Sequence, residues 1–271
     1  MNGELRVFSY GGGVQSTAVL VLQAQGRLPA PYDVFMFANV GEDSENPLTL
    51  RYVEQVVRPY ATGHGIEFVE AHKTARGGGQ TTLLEALTHQ KKRIPIPVRM
   101  ANGAPGRRIC TEEFKIDVID AHIRSRGYRQ AVIGLGISID EFARARDLQW
   151  YEQNGLRKRR EYPLIDLRLG RADCQSIIAD AGLPVPPKSS CWFCPYHRPG
   201  YWIELRRTNP ELFERAALLE DMLNERRAAL GKDEVFLHPS LRPLRHAVGE
   251  QLAMFDTGDF DNTCETGYCM V

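Results

Sequence analysis

The sequence predicts an α/β fold, an open, mainly parallel, twisted sheet with helices on both faces. Three observations carry this. Strand-length apolar runs recur at Leu5 to Phe8, Val34 to Val40, Ile66 to Val69 and Gln130 to Leu135. Stretches of helical spacing separate them, at about 30 residues per strand–helix unit. The first and last of these strands run into glycines, Gly11-Gly12-Gly13 and Gly134/Gly136.

The first strand leads through Ser9-Tyr10-Gly11-Gly12-Gly13-Val14-Gln15-Ser16-Thr17 into Ala18 to Leu22, which reads as a strand, a glycine turn and an apolar helix. Glycines let main-chain N–H groups turn inward, and a helix start adds unpaired donors and a positive dipole end. Ser16 and Thr17 bring hydroxyls to where an anion would sit. No Lys precedes Lys73, which excludes a Walker ending, and G-x-G-x-x-G is absent.

Leu48 to Tyr60 has helical spacing, with Leu50, Val53, Val56 and Val57 on one side. Ala75 to Arg108 is glycine-rich and basic, a lid, a binding loop or a disordered segment, with a short helix over Leu83 to Gln90. Phe114 to Arg126 reads as a helix, and Ser138 to Glu141 as a capping box opening another. Further helices are expected over Ala172 to Ala181 and Pro210 to Leu230. Two domains result: an α/β nucleotide-binding domain over 1–170, and a helical region over 171–271 with a cysteine knuckle and a cysteine-containing tail.

Bulk properties narrow the class. Charged residues form 25% of the 271-residue chain and hydrophobic ones 43%, and 34 basic residues balance 34 acidic ones, so any basic surface must be local. No apolar run reaches the roughly 18 residues of a membrane span, and no secretory apolar segment opens the chain. No membrane partner and a cytoplasmic location are expected. Six cysteines in such a protein suit metal or redox chemistry better than disulfides.

Two further loops follow strands. Asn39-Val40-Gly41-Glu42-Asp43-Ser44-Glu45-Asn46-Pro47 lies where open parallel sheets bind ligands, unless it is a solvated acidic loop. Gly136-Ile137-Ser138-Ile139-Asp140-Glu141-Phe142-Ala143-Arg144 offers close backbone approach at Gly136, carboxylates for Mg²⁺ at Asp140 and Glu141, and a phosphate clamp at Arg144. Cys191-Trp192-Phe193-Cys194-Pro195-Tyr196-His197 presents two thiols two residues apart, with Cys110 as a third ligand. Three thiolates suit a 4Fe–4S cluster with one iron left open; zinc with His197 added, or a redox pair, are the other readings. Cys174 reads as buried and inert. Trp192, Phe193 and Tyr196 either stack on a base or shield a cluster. Basic groups at Lys91 to Arg93, Arg107-Arg108 and Arg157 to Arg160 can hold a phosphate backbone if they share a face.

These motifs together resemble the PP-loop (N-type) ATP pyrophosphatases, in the branch of the phosphoadenosine-phosphosulfate reductases. Gly12, Gly13 and Ser16 match the family's S-G-G-x-D-S, whereas Gly11 replaces its first Ser and Gln15 its Asp. Asn39 to Pro47 is similar to D-T-G-x-E-x-P with Asn39 in the Asp place, and Arg108-Ile109-Cys110-Thr111 with Phe114-Lys115 is similar to the segment that accompanies the C-x₂-C. The tail, with Cys264 and Cys269, resembles the reductases' Glu-Cys-Gly-x-His only loosely, since the His is absent.

The resemblance implies ATP bound by Ser9, Gly11, Gly12, Gly13, Gln15, Ser16, Thr17, the backbone around Phe37, Asn39, Gly41 and Gly136. It implies catalysis by Ser16, Cys110, Asp140, Glu141 and Arg144, and a metal centre on Cys110, Cys191 and Cys194. The implied activity is an ATP pyrophosphatase that adenylates an acceptor for sulfur transfer, similar to the component of DNA phosphorothioation systems. DNA is expected as acceptor ahead of tRNA, a cysteine desulfurase as sulfur donor, and a homodimer is admissible. A thiol-dependent sulfonucleotide reductase and a zinc-stabilised, non-catalytic nucleic-acid-binding subunit are the alternatives.

Overall fold

The computed structural model describes residues 3–75, 77–89, 93–146 and 148–254, with side chains to residue 249. In chain order the first elements are β1 (Leu5–Tyr10), α1 (Val14–Ala24), β2 (Val34–Asn39), α2 (Pro47–Tyr52), α3 (Arg58–Gly63) and β3 (Phe68–His72). Then come α4 (Leu83–His89), β4 (Arg99–Met100), α5 (Ile109–Thr111), α6 (Asp117–Ser125), β5 (Gln130–Leu135), β6 (Tyr151–Gln153) and β7 (Leu156–Glu161). The last are α7 (Pro163–Asp166), α8 (Arg171–Asp180), α9 (Pro199–Thr208), α10 (Pro210–Ala228), β8 (Val235–Phe236) and α11 (Leu244–Met254).

The described residues form two compact units, each drawn from two stretches: 3–82 with 111–190, and 83–110 with 191–254. The boundary expected at 170 falls inside the first unit, because α8 packs on α1. The basic stretch expected as a loop over Ala75 to Arg108 belongs mostly to the second unit, where β4 pairs antiparallel with β8.

The first unit is an α/β fold. Its six strands run in the order β3-β2-β1-β5-β7-β6, every pair parallel except the β6–β7 hairpin. The chain builds outward from β1 to β3, then returns to the other side of β1 as β5. The β1/β5 boundary is therefore the topological switch point, where a crevice opens beyond the strands' carboxyl ends. Alternation along β1 and β2 sorts the core. Phe8, Tyr10, Phe35 and Phe37 pack with α1 and α8 on one face; Leu5, Val7, Val34 and Met36 pack with α6 on the other. Helix α1 is buried without a break from Ser16 to Leu22, which explains why its sequence is apolar all round.

Some elements depart from expectation. The helix over Leu48 to Tyr60 is continuous but widens at Val53–Val57, and the one expected from Phe114 opens with a wide turn at Glu112–Ile116. Ser138 does not form a capping box: Ile139–Arg144 is a 3₁₀ helix with no side-chain cap, and Glu141 leaves helical geometry. The hairpin β6–β7 carries no apolar alternation, since Lys158 occupies an inward position of β7.

In the second unit, α9, α10 and α11 surround Trp202, Phe213, Leu223 and Val248, all buried. Buried Glu220 of α10 accepts the N–H groups of Leu237 (2.7 Å) and Leu244 (2.6 Å), tying the α10 core to the segments at β8 and α11. The tail with Cys264 and Cys269 lies outside the described residues, as do Lys91 and Lys92.

Candidate functional site

The glycine loop sits at the switch point. Gly12 has φ +78°, and a Cβ there would lie 2.7 Å from Thr49 Cγ2 and 3.0 Å from Ser189 Oγ, so glycine is required twice over. Ser189 also donates its hydroxyl to Gly11 O. On the β5 side, a Cβ on Gly136 would lie 3.1 Å from Ser16 N. The loops after β1 and β5 are thus in backbone contact, and Thr49 and Ser189 wall the first of them. Neither wall residue was anticipated. Ser189 follows the Pro184 to Pro187 break without any periodic pattern, and Thr49 is a polar residue on the inward side of α2.

The expected hydroxyls are not both available. Thr17 Oγ1 donates to Gly13 O at 3.0 Å and meets the Tyr10 hydroxyl at 2.8 Å, fully buried. Ser16 Oγ donates to Gly13 O at 2.9 Å and accepts from Gly13 N at 3.2 Å. Thr17 is therefore a structural clamp on the loop. Ser16 holds the turn, and its hydroxyl must swing away from Gly13 to meet a ligand.

Gln15, Glu141, Arg144 and Arg171 form one polar network. Gln15 Nε2 donates to Glu141 Oε2 and accepts at Oε1 from Arg171 Nη1, both at 3.3 Å. Arg144 Nη1 lies 2.6 Å from Glu141 Oε1. The Arg144 side chain is 91% buried, yet among the described residues its Nε and Nη2 have no hydrogen-bond partner. A desolvated guanidinium with orphaned donors is costly unless an anion completes it. Asp140, offered with Glu141 as a Mg²⁺ ligand, anchors α8 by accepting the Arg171 N–H, and Glu141 is paired with Arg144.

The β2 loop is built for rigidity. Buried Asn39 accepts the Gly41 N–H at 2.8 Å and donates to Glu70 Oε1 at 2.7 Å. Gly41 has φ +125°, with Thr82 and Asp43 filling the space of any Cβ. Thr82 in turn donates to Asp43 at 2.9 Å. Glu45 is not solvated: it is buried, and burial raises its carboxyl pKa. Phe37 sits inside the ladder between Tyr10 and Glu70, with its ring in the core. Ser9 points to the opposite sheet face from Tyr10, lining a small cavity with Lys115, Lys158 and Arg160.

The three cysteines expected at a metal all belong to the second unit. Cys194 and Cys110 both bear electrostatically on the Tyr196 phenol, and Cys194 and Cys191 on that of Tyr201; burial raises both phenol pKa values. Their donor chemistry fits a thiolate-bound metal or cluster, and none forms a disulfide. Among the described residues, however, no three His, Cys, Asp or Glu side chains are gathered closely enough to hold an ion as they stand. His197 Nε2 lies 2.9 Å from Cys191 O, and its ring stacks on Tyr201 at 3.3 Å. Trp192, Phe193 and Tyr196 are buried, so they shield the knuckle and are not a stacking platform for a base. Cys174 is buried, and burial pushes its thiol up to about 12.

The basic run Arg157 to Arg160 is not one surface. Lys158 is buried, with Nζ 2.7 and 2.8 Å from the Asp120 carboxylate oxygens and 2.9 Å from Gln153 Oε1. Arg157 and Arg159 lie over the Trp150 ring, and Arg160 over Tyr151. No family model and no curated protein matches the chain. No described helix is long and apolar enough to cross a membrane.

Proposed function

We propose that the chain is an ATP pyrophosphatase that adenylates an acceptor for sulfur transfer in nucleic-acid modification. The observation that carries the reading is the buried Arg144, joined through Glu141 to Gln15 of the glycine loop at the switch point of a parallel sheet, with its Nε and Nη2 unmet among the described residues. The loop's main-chain donors, the α1 N-terminus and Arg144 together favour a polyanion. A nucleotide would lie across the strand ends beside Gly41 and Gly136, where neighbouring atoms crowd the space a Cβ would take.

In the reaction, an acceptor oxygen attacks the α-phosphorus, the bond to the β-phosphate oxygen breaks, and pyrophosphate leaves. Donors fixed before the reaction stabilise the charge growing on that leaving group. The outer sulfur of a cysteine persulfide, loaded by a cysteine desulfurase, then displaces AMP, and a second thiol reduces the resulting disulfide to release the thiolated acceptor. Magnesium would enter with the nucleotide. Cys110, Cys191 and Cys194 would hold an iron–sulfur cluster or zinc, whose chemistry there is to bind and present sulfur.

Pyrophosphate release from ATP, assayed with DNA and tRNA acceptors, tests the reading. Wild type should turn over and Arg144→Ala should lose at least about tenfold in ATP affinity, one charge-assisted contact of about 1.4 kcal/mol or more. Unchanged ATP affinity in Arg144→Ala contradicts it. Anaerobic protein should carry iron and acid-labile sulfide, or zinc, and Cys194→Ala should lose the metal while retaining ATP.

A further inference from the structure

The second unit contains a cavity of about 230 Å³ that the ATP reading does not use. Five cations line it: Arg93, Arg107, Arg226, Arg227 and Lys232. They come from three separate stretches of sequence, and among the described residues no carboxylate lines the cavity. Between them the floor is aliphatic, with Ile94, Ile96, Val98, Ile109 and Leu223.

Two of the cations are pre-positioned. Arg226 donates to Leu87 O and to Thr88 O (3.3 Å), the carbonyl end of α4, and Arg227 Nε donates to Asp233 O at 2.5 Å. Arg93, Arg107 and Lys232 are exposed at the rim. Like charges gathered in this way repel one another, and a polyanion relieves that repulsion.

We propose that this cavity docks single-stranded DNA, with phosphates on the cationic rim and one unstacked base against the aliphatic floor. A cavity of about 230 Å³ has room for a single heterocycle. An apolar floor without amide or hydroxyl side chains reads no base edge, so binding is tolerant of sequence. The same lining offers the 2′-hydroxyl proton no oxygen or nitrogen acceptor on a side chain, which favours DNA over RNA as occupant. A duplex keeps its bases stacked and cannot fill the floor.

This deepens the proposed function by naming where its acceptor sits, yet binding is measured without ATP and stands or falls separately. Anisotropy of a labelled single strand of about 20 nucleotides should show binding that weakens steeply from about 50 to about 200 mM salt. The triple variant Arg93→Ala/Arg107→Ala/Lys232→Ala should bind at least about tenfold more weakly. Its log–log salt slope should flatten by about 2, since each lost single-strand phosphate contact removes about 0.7. Leu230→Glu, at an exposed position of the lining, should also weaken binding several-fold, and both variants should bind ATP as wild type does. Wild-type DNA affinity in the triple variant overturns the proposal. So does equal affinity for duplex DNA, tighter binding of the matching RNA strand, or equal binding to phosphatidylserine vesicles.

Discussion

The glycine loop of the first unit and the basic cavity of the second both suit anions, and they are built by opposite means. The loop relies on backbone that side chains cannot replace: Gly12 is closed to any Cβ, Gly136 leaves a Cβ only a tight fit against Ser16 N, and one buried guanidinium supplies the charge. The cavity relies on five side chains around an aliphatic floor, most of them replaceable one at a time. A backbone-built site should fail all at once, and a side-chain-built site by degrees.

The sharpest way to break that contrast is Gly12→Ala. Its backbone is left-handed, and the new methyl meets Thr49 Cγ2 at 2.7 Å and Ser189 Oγ at 3.0 Å, so the loop must move. ATP turnover should fall at least about a thousandfold, some 4 kcal/mol, with DNA binding unchanged. Near-normal turnover in that variant would show that the loop's conformation is not what holds the phosphates.

The contrast inverts in the cores, where the first unit pairs buried charges side chain to side chain. Lys158 and Asp120 are both buried, and among the described residues Lys158→Met leaves the carboxylate with only Asn154 Nδ2, at 2.8 Å. The cost should be about 3 kcal/mol in chemical denaturation, most of it recovered when Asp120→Leu is added. A single variant as stable as wild type would mean that water reaches the pair.

The second unit instead satisfies buried Glu220 with two backbone N–H groups. Burial pushes its carboxyl up to about 7, against the pull of those donors. The folded protein therefore keeps a proton that the unfolded chain releases above about 4.5. That stabilisation is complete below about 4.5 and is lost as pH rises through about 7. Between pH 5 and pH 8 stability should fall by about 2–3 kcal/mol from this group, and Glu220→Gln should remove the slope. Parallel pH profiles for the two proteins would disprove the assignment.

What was legible in the sequence follows the same division. Strands β1, β2 and β5, the glycine turns and the switch-point site were readable because backbone demands leave local marks, such as Gly11-Gly12-Gly13 after a strand. The hairpin β6–β7 was not, because Lys158 occupies a core position that the charge of Asp120, 38 residues earlier, makes tolerable. The basic run around it looked like surface for the same reason. Ser189 and Thr49 became wall residues, and Arg93 and Arg107 joined Lys232, through tertiary packing alone. No spacing rule connects those residues.

The smallest expected effect separates the two basic regions directly. Arg157 and Arg159 of β7 lie over Trp150 at 5.1 and 5.6 Å, and Arg159 also donates to Glu161 at 3.0 Å. Their charge is already engaged within the first unit, so Arg157→Ala/Arg159→Ala should change single-strand DNA affinity less than about twofold. Lys232→Ala removes one rim cation and should cost about threefold at low salt, roughly 0.7 kcal/mol. A charge pair lost from β7 should thus matter less than a single charge lost from the cavity rim. If the β7 double variant instead binds more weakly than Lys232→Ala, net positive charge governs binding, and the aliphatic floor between the cations contributes nothing.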